Sequence, residues 1–343
     1  MKILFRADGN KNIGWGHVIR SLSIASEARN MGAECFFVCA DNSLKRKIEE
    51  YEFNVIILNS DYTKMTDELR SLIEIINAEK PDFIFVDSYY VTNEYFEELK
   101  KYSKIVYIDD LFAFPYNVDF LLNYNIYASK TKYLKLYKDN DIPELLLGLR
   151  YVPLRSEFKN IHKSYNDNVE NVFVSTGGSD EYGLVLRLIK GIYRDKSVSK
   201  DINYHFVIGG YEPDRDEIYK MSEADSHINA YYNVHNVSEL MNKCDIAISA
   251  AGSTLYELCT CGVPTITYTF ADNQVYGANC FSELGLMINA GDLRENNYDV
   301  IRIIDLLKIL LRDNSLRREL YDNMNSLFDS NGANNIVKII LQY

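Results

Sequence analysis

The chain has 343 residues, 47% of them hydrophobic and 25% charged; this is a globular composition, longer than one core usually supports, and it predicts two α/β domains of roughly 150–180 residues each. A formal net charge of −12, with no long Lys/Arg cluster, argues against nucleic-acid binding, so an anionic ligand has to be met by local donors such as helix N-termini and Gly-rich turns. Met1 leads straight into an apolar strand and no run of about 18 apolar residues occurs, so neither a signal peptide nor a membrane span is expected.

Short apolar strands alternate with amphipathic helix-length segments, the pattern of a parallel sheet covered on both faces. In the first half the spacing predicts strands over Lys2–Phe5, Glu34–Cys39, Asn54–Leu58, Phe83–Val86, Ile105–Ile108 and Phe120–Asn123. Helices are predicted near Val18–Met31, Ser43–Tyr51, Asp67–Glu79 and Asn93–Lys101. A polar stretch, Lys159–Glu170, reads as the linker. The second half restarts with strands over Val172–Val174, Tyr204–Ile208, Ile228–Tyr231, Ile246–Ser249 and Thr265–Thr269. Its helices are predicted near Gly183–Tyr193, Pro213–Ala224, Val237–Cys244, Thr254–Cys261 and Tyr276–Leu284, followed by a helical tail from Val300. The expected domains are therefore residues 1–158 and 159–343, the tail going with the second.

Chemistry concentrates at predicted strand ends, where open α/β sheets bind ligands. Arg6-Ala7-Asp8 and Gly14-Trp15-Gly16-His17, then Arg20, lie between the first strand and the first helix. Gly14 and Gly16 let backbone approach a ligand, and the helix start offers free N–H groups. His17 at that N-terminus is placed for general-base work, because the helix dipole favours the neutral ring; a packed or capping histidine is the other reading. In the second half Ser249–Glu257 is again strand, small-residue turn and helix. Ser253 and Thr254 suit a phosphate, and Glu257 suits the two hydroxyls of a ribose; the competing reading is a plain capping box. Asn273 and Gln274 sit in a predicted loop after the strand Thr265–Thr269, and Gly178 lies in the turn Thr176-Gly177-Gly178-Ser179, a weaker anion site. Asp87 and Tyr89, at another strand end, are candidate sugar contacts, and Asp8 is a candidate to orient His17 or bind sugar. The remaining histidines, His162, His205, His227 and His235, have no ligand spacing. Cys35, Cys39, Cys244, Cys259, Cys261 and Cys280 form no paired metal motif and read as free thiols in a reducing cytoplasm.

Taken in order, several segments resemble a known family. They are Met1–Asp8, Ile13–Arg20, Val86-Asp87-Ser88-Tyr89-Tyr90, Ile108-Asp109-Asp110, Gly148–Phe158, Thr176–Asp180 and Ser249–Glu257. The family is that of the UDP-2,4-diacetamido-2,4,6-trideoxy-β-L-altropyranose hydrolases of pseudaminic acid biosynthesis, which also includes spore-coat polysaccharide proteins. The resemblance covers about residues 1–290. It implies the GT-B fold, two Rossmann-like domains facing a central cleft, with a second half similar to the MurG-type glycosyltransferases. It implies His17 as the base that activates water, anomeric C–O cleavage with inversion and UDP as leaving group, without metal or cofactor. Asp8, Gly14, Gly16, Arg20, Asp87, Tyr89, Gly178, Ser253, Thr254, Glu257, Asn273 and Gln274 would then bind substrate, Ser253 and Thr254 near the diphosphate and Glu257 on the ribose. A glycosyltransferase using a UDP-sugar donor and a non-catalytic nucleotide-sugar binder are the alternatives. The expected partners are the UDP-sugar and UDP, with no nucleic acid and no membrane.

Overall fold

The computed structural model describes residues 1–343 except 11, 12, 139, 140, 160, 162, 163, 178, 179, 181, 196, 197, 199, 200, 210–212, 233, 235 and 298. It divides into two compact units, residues 1–156 with 331–343, and residues 157–330.

The first unit is built on β1 (Lys2–Ala7), β2 (Glu34–Cys39), β3 (Asn54–Ile57), β4 (Phe83–Asp87), β5 (Lys104–Ile108), β6 (Phe120–Asn123) and β7 (Glu144–Leu147). All pair parallel in the order β3-β2-β1-β4-β5-β6-β7. The central strands read as continuous apolar runs because helices cover both faces; all five residues of β4 are buried. The connecting helices are α1 (Gly16–Asn30), α2 (Lys45–Glu50), α3 (Met65–Glu79), α4 (Asn93–Leu99) and α5 (Lys130–Tyr137). On α3 the inward positions are Met65, Glu68, Leu72 and Ile76, one helical stripe in which Glu68 breaks the apolar pattern. Its carboxylate accepts from Arg6 Nε and Nη2, both at 2.7 Å, which explains a charge at a core position.

The second unit restarts with β8 (Asn171–Ser175), β9 (Asn203–Ile208), β10 (Ile228–Tyr232), β11 (Ile246–Ala250), β12 (Thr265–Thr269) and β13 (Met287–Asp292). Their order, β10-β9-β8-β11-β12-β13, repeats the arrangement of the first six strands. Both sheets thus have the Rossmann order, with a point between first and fourth strands where the connections reverse direction. The helices are α6 (Leu184–Arg194), α7 (Arg215–Ala224), α8 (Val237–Lys243), α9 (Thr254–Thr260), α10 (Asp272–Glu283), α11 (Ile301–Arg312) and α12 (Asn314–Leu327).

The last helix, α13 (Gly332–Ile340), corrects the expected division, which kept the whole tail in the second half. Ala333, Ile336, Val337 and Ile340 form its buried stripe, and it packs against α1 in the first unit. Asn334 Nδ2 donates to Glu27 Oε1 at 2.7 Å and Asn335 Nδ2 to the carbonyl of Arg150 at 2.9 Å. Among the described residues, no helix is long and apolar enough to cross a membrane.

Candidate active site

In the first unit the reversal point lies between β1 and β4, and the loops that follow these two strands carry His17 and Asp87. Gly14 turns the first loop with a φ of +74°, and its N–H and carbonyl pair with Asn10. Trp15 then precedes α1 as an exposed residue, and a side chain at Gly16 would meet nothing within 4 Å. His17, the second residue of α1, is itself only 5% exposed.

Asp87, the last residue of β4, is fully enclosed. Its Oδ1 lies 2.6 Å from His17 Nδ1, and Arg20 donates to it twice at 2.5 Å, Nε to Oδ2 and Nη2 to Oδ1. Burial raises the Asp87 carboxyl, but the charges of Arg20 and then His17, with their hydrogen bonds, outweigh it and hold the group well below the usual carboxylate range. An ionised carboxylate only accepts, so the proton on the His17 ring sits on Nδ1. Among the described residues nothing hydrogen-bonds to Nε2. The edge of Tyr89 packs on the ring, centroids 4.6 Å apart.

The network continues through Arg20. Its Nη1 donates to Asp110 Oδ2 and to Tyr124 Oη, both at 2.9 Å. Asn125 Nδ2 holds the other Asp110 oxygen at 2.7 Å, and Tyr89 Oη approaches Oδ2 at 3.3 Å. Burial and the neighbouring Asp110 push the Tyr89 phenol far above its ordinary value, so it stays neutral. Asp110, Tyr124 and Asn125 follow β5 and β6, so loops after four strands meet here.

Three expectations change. Asp8 neither touches His17 nor offers a free carboxylate: Oδ2 accepts from Arg6 Nη1 at 2.6 Å and Oδ1 from the Ala40 amide at 2.7 Å. Asp87 and Arg20, expected to meet the substrate, turn inward to each other, because both are buried where an unpaired charge would be costly. Of the residues expected to meet a sugar, Tyr89 does face solvent, 42% exposed.

Tyr124 and Asn125 carry no sequence signal of their own, and Asp110 only that of the segment Ile108-Asp109-Asp110. The pair Asp109-Asp110 hides which acid serves the site. Asp109 is turned into the core by Tyr133 Oη at 2.6 Å, the Leu111 amide at 2.8 Å and Tyr116 Oη at 2.9 Å.

In the second unit the corresponding reversal point lies between β8 and β11. After β8, Ser175 Oγ accepts from the Gly177 amide at 3.2 Å, and Gly177 adopts a φ of +87°. Gly178 lies outside the described residues, as do His162 and His235. The Thr176 hydroxyl is buried, 1% exposed, with no hydrogen-bond partner among the described residues. After β11, Ser253 precedes α9 in helical backbone conformation and makes no side-chain capping bond. Ser253 thus does not supply its half of a capping box, and it is exposed at the helix start with the half-buried Thr254 beside it. Glu257 lies in the first turn of α9, half-buried.

Asn273 and Gln274 are in the first turn of α10 rather than in a loop. Gln274 Oε1 accepts from the Phe270 amide at 2.9 Å and so helps turn the chain into that helix, while Asn273 is exposed. Among the described residues no disulfide joins any of the six cysteines. Among the described residues no His, Cys, Asp and Glu group has a geometry suited to a metal ion.

Residues 171–331 match the model of the glycosyltransferase family 28 C-terminal domain. Over 277 residues the chain is 27% identical to an uncharacterized protein of Methanocaldococcus jannaschii, an alignment covering 78% of this chain and 55% of that protein. Over 262 residues it is 27% identical to the UDP-2,4-diacetamido-2,4,6-trideoxy-beta-L-altropyranose hydrolase of Campylobacter jejuni, covering 75% of this chain and 87% of that enzyme. The chain thus spans little more than half of the archaeal relative and most of the bacterial one. In structure it is similar to MurG of Acinetobacter baumannii, with a TM-score of 0.69 at 12% identity over 100% of both chains, which is a likeness of fold. The chain has the GT-B fold; its second unit is similar to the glycosyltransferase family 28 C-terminal domain, and the chain is similar in sequence to a UDP-2,4-diacetamido-2,4,6-trideoxy-beta-L-altropyranose hydrolase.

Proposed function

We propose that the chain hydrolyses a UDP-linked 2,4-diacetamido-2,4,6-trideoxy sugar to the free sugar and UDP, in nonulosonate (pseudaminic acid) or surface polysaccharide synthesis. The observation that carries this is the His17–Asp87 pair at the reversal point of the first sheet, with Nε2 left for water. Asp87 holds the ring through Nδ1, and Nε2 takes a proton from water as the water oxygen bonds to the anomeric carbon. The anomeric C–O bond breaks and its electron pair leaves on the β-phosphate of UDP. The diphosphate is a stable leaving group, so donors on its oxygens can replace a general acid, and the scheme requires no metal. One base acting opposite the leaving group inverts the configuration.

The second unit is assigned the nucleotide. The turn at Gly177, the exposed Ser253 and the half-buried Thr254 at the start of α9, and Asn273 at the start of α10 supply donors for the phosphates. Glu257 is assigned the ribose hydroxyls. Tyr89 and Trp15, exposed beside His17, are assigned apolar contacts to the sugar, whose acetamido and C6 methyl groups suit aromatic faces.

His17→Asn is expected to keep UDP affinity within about twofold and to lower turnover by about 10²–10⁴-fold. Unchanged turnover removes the base assignment. A second reading, sugar transfer to a hydroxyl acceptor, is favoured by the family 28 domain and the MurG-like fold. UDP released only when an acceptor is added would establish it, and binding without any release would leave a nucleotide-sugar binder.

A further inference from the structure

We propose that Arg20 is a positioning residue for the base and not a substrate ligand: it grips both oxygens of Asp87 and so fixes the carboxylate that fixes the His17 ring. The inference deepens the reading of His17 as the base and rests on it. His17 and Arg20 are three apart on α1, so both side chains lie on one helix face. Both reach one carboxylate on the adjacent strand. A carboxylate held by a single imidazole can rotate about its last bond; one held by a guanidinium fork at two points of 2.5 Å cannot. The fork is anchored in turn by Asp110 and Tyr124, whose ring lies 5.5 Å from the guanidinium carbon. All three nitrogens of Arg20 are engaged within the protein, and the residue is 8% exposed, which leaves little to offer a ligand.

Charge follows the same geometry. The charged and titratable groups around His17 are Asp87 from β4, Tyr89 from the loop after it, Arg20 from its own helix, and Asp110 and Tyr124, which act through Arg20 from the loops after β5 and β6. Tyr89 is neutral, and Arg20 remains a cation: burial disfavours its charge, but Asp110 and Asp87 more than compensate. Arg20 therefore neutralises much of the negative potential that Asp87 places on the ring.

The test combines ¹⁵N spectra of the ring nitrogens, assigned by their loss in His17→Asn, with kcat and KM across pH for the wild type, Arg20→Lys and Arg20→Met. The wild type should show the proton on Nδ1. Arg20→Met should show mixed tautomers and a kcat lower by about 10–100-fold, as when outer partners of metal-bound histidines are lost. Its KM and UDP affinity should stay within about twofold. Arg20→Lys keeps the charge without the fork, so it too should show mixed tautomers. If the methionine variant does not fold, the lysine variant carries the tautomer readout. A wild-type proton on Nε2, or a folded variant with a wild-type ring spectrum and a raised KM at unchanged kcat, overturns the proposal. Full turnover in His17→Asn would defeat the base reading instead, and the ring spectra would still decide what Arg20 holds.

Discussion

Asp8 and Asp87 stand at the ends of neighbouring strands, and their surroundings give them different work. Asp8 is paired with Arg6, whose guanidinium is fully buried and also binds Glu68. Asp87 is paired with Arg20 and, among the described residues, makes the hydrogen bond that holds the His17 ring. Removing Asp8 leaves Arg6 paired with Glu68 but strips the buried Arg6 Nη1 and the Ala40 amide of their acceptor, a loss of about 1–3 kcal/mol. Asp8→Ala is therefore expected to lower stability by about that amount in urea unfolding, with KM unchanged wherever the protein is folded. A stable Asp8→Ala variant with a raised KM would restore its role as a substrate contact. Sequence reasoning could place both acids at strand ends but could not say which one reached His17. That choice depends on side chains from α3, β4 and α1 that lie 62 and 67 residues from their partners.

At the scale of elements, the alternation of apolar runs and amphipathic segments was legible, and most strands lie where that pattern put them. Two were not. β7 is a run of three leucines, a residue with high helix propensity, and it becomes an edge strand only because β6 is there to pair with. β13 contains Asn, Gly and Asp, residues depleted in strands, and pairs with β12 through a register shift. The start of α10 was read four residues late, at Tyr276 instead of Asp272, because Asp272-Asn273-Gln274 looks like a turn; the Gln274 bond to the Phe270 amide makes it a helix entry.

The destination of α13 was equally hidden, since an apolar stripe does not name its partner. Its first residue makes the docking testable. A Cβ at Gly332 would lie 2.0 Å from the carbonyl oxygen and 2.5 Å from the nitrogen of Val152, both backbone atoms that cannot swing aside. Gly332→Ala is expected to destabilise the first unit by about 1–3 kcal/mol, read by thermal unfolding. An unchanged melting temperature would mean that α13 docks elsewhere. In the second unit, Glu257→Ala is expected to raise the Kd for UDP by about tenfold, the equivalent of one lost charge-assisted hydrogen bond. Unaltered affinity would remove the ribose assignment.

Over the whole molecule, one Rossmann order occurs twice, and each reversal point carries a different chemistry. The first gathers a histidine and charged residues already satisfied among themselves. The second gathers glycine, serine and threonine at strand ends and helix starts, with Glu257 a turn away. An acidic chain can bind a diphosphate this way because the donors are local. The relatives support a sugar-nucleotide reaction in which water or another hydroxyl is the acceptor, and the protein's use of water is the central claim. It is tested most directly by incubating a UDP-linked 2,4-diacetamido-2,4,6-trideoxy sugar with the enzyme in H₂¹⁸O and following the products by NMR and mass spectrometry. The account predicts UDP without label and a free sugar carrying ¹⁸O at the anomeric carbon in the inverted configuration, with the signal lost in His17→Asn. Label in the UDP phosphate, a retained anomer, or no sugar released until an acceptor is supplied would contradict it.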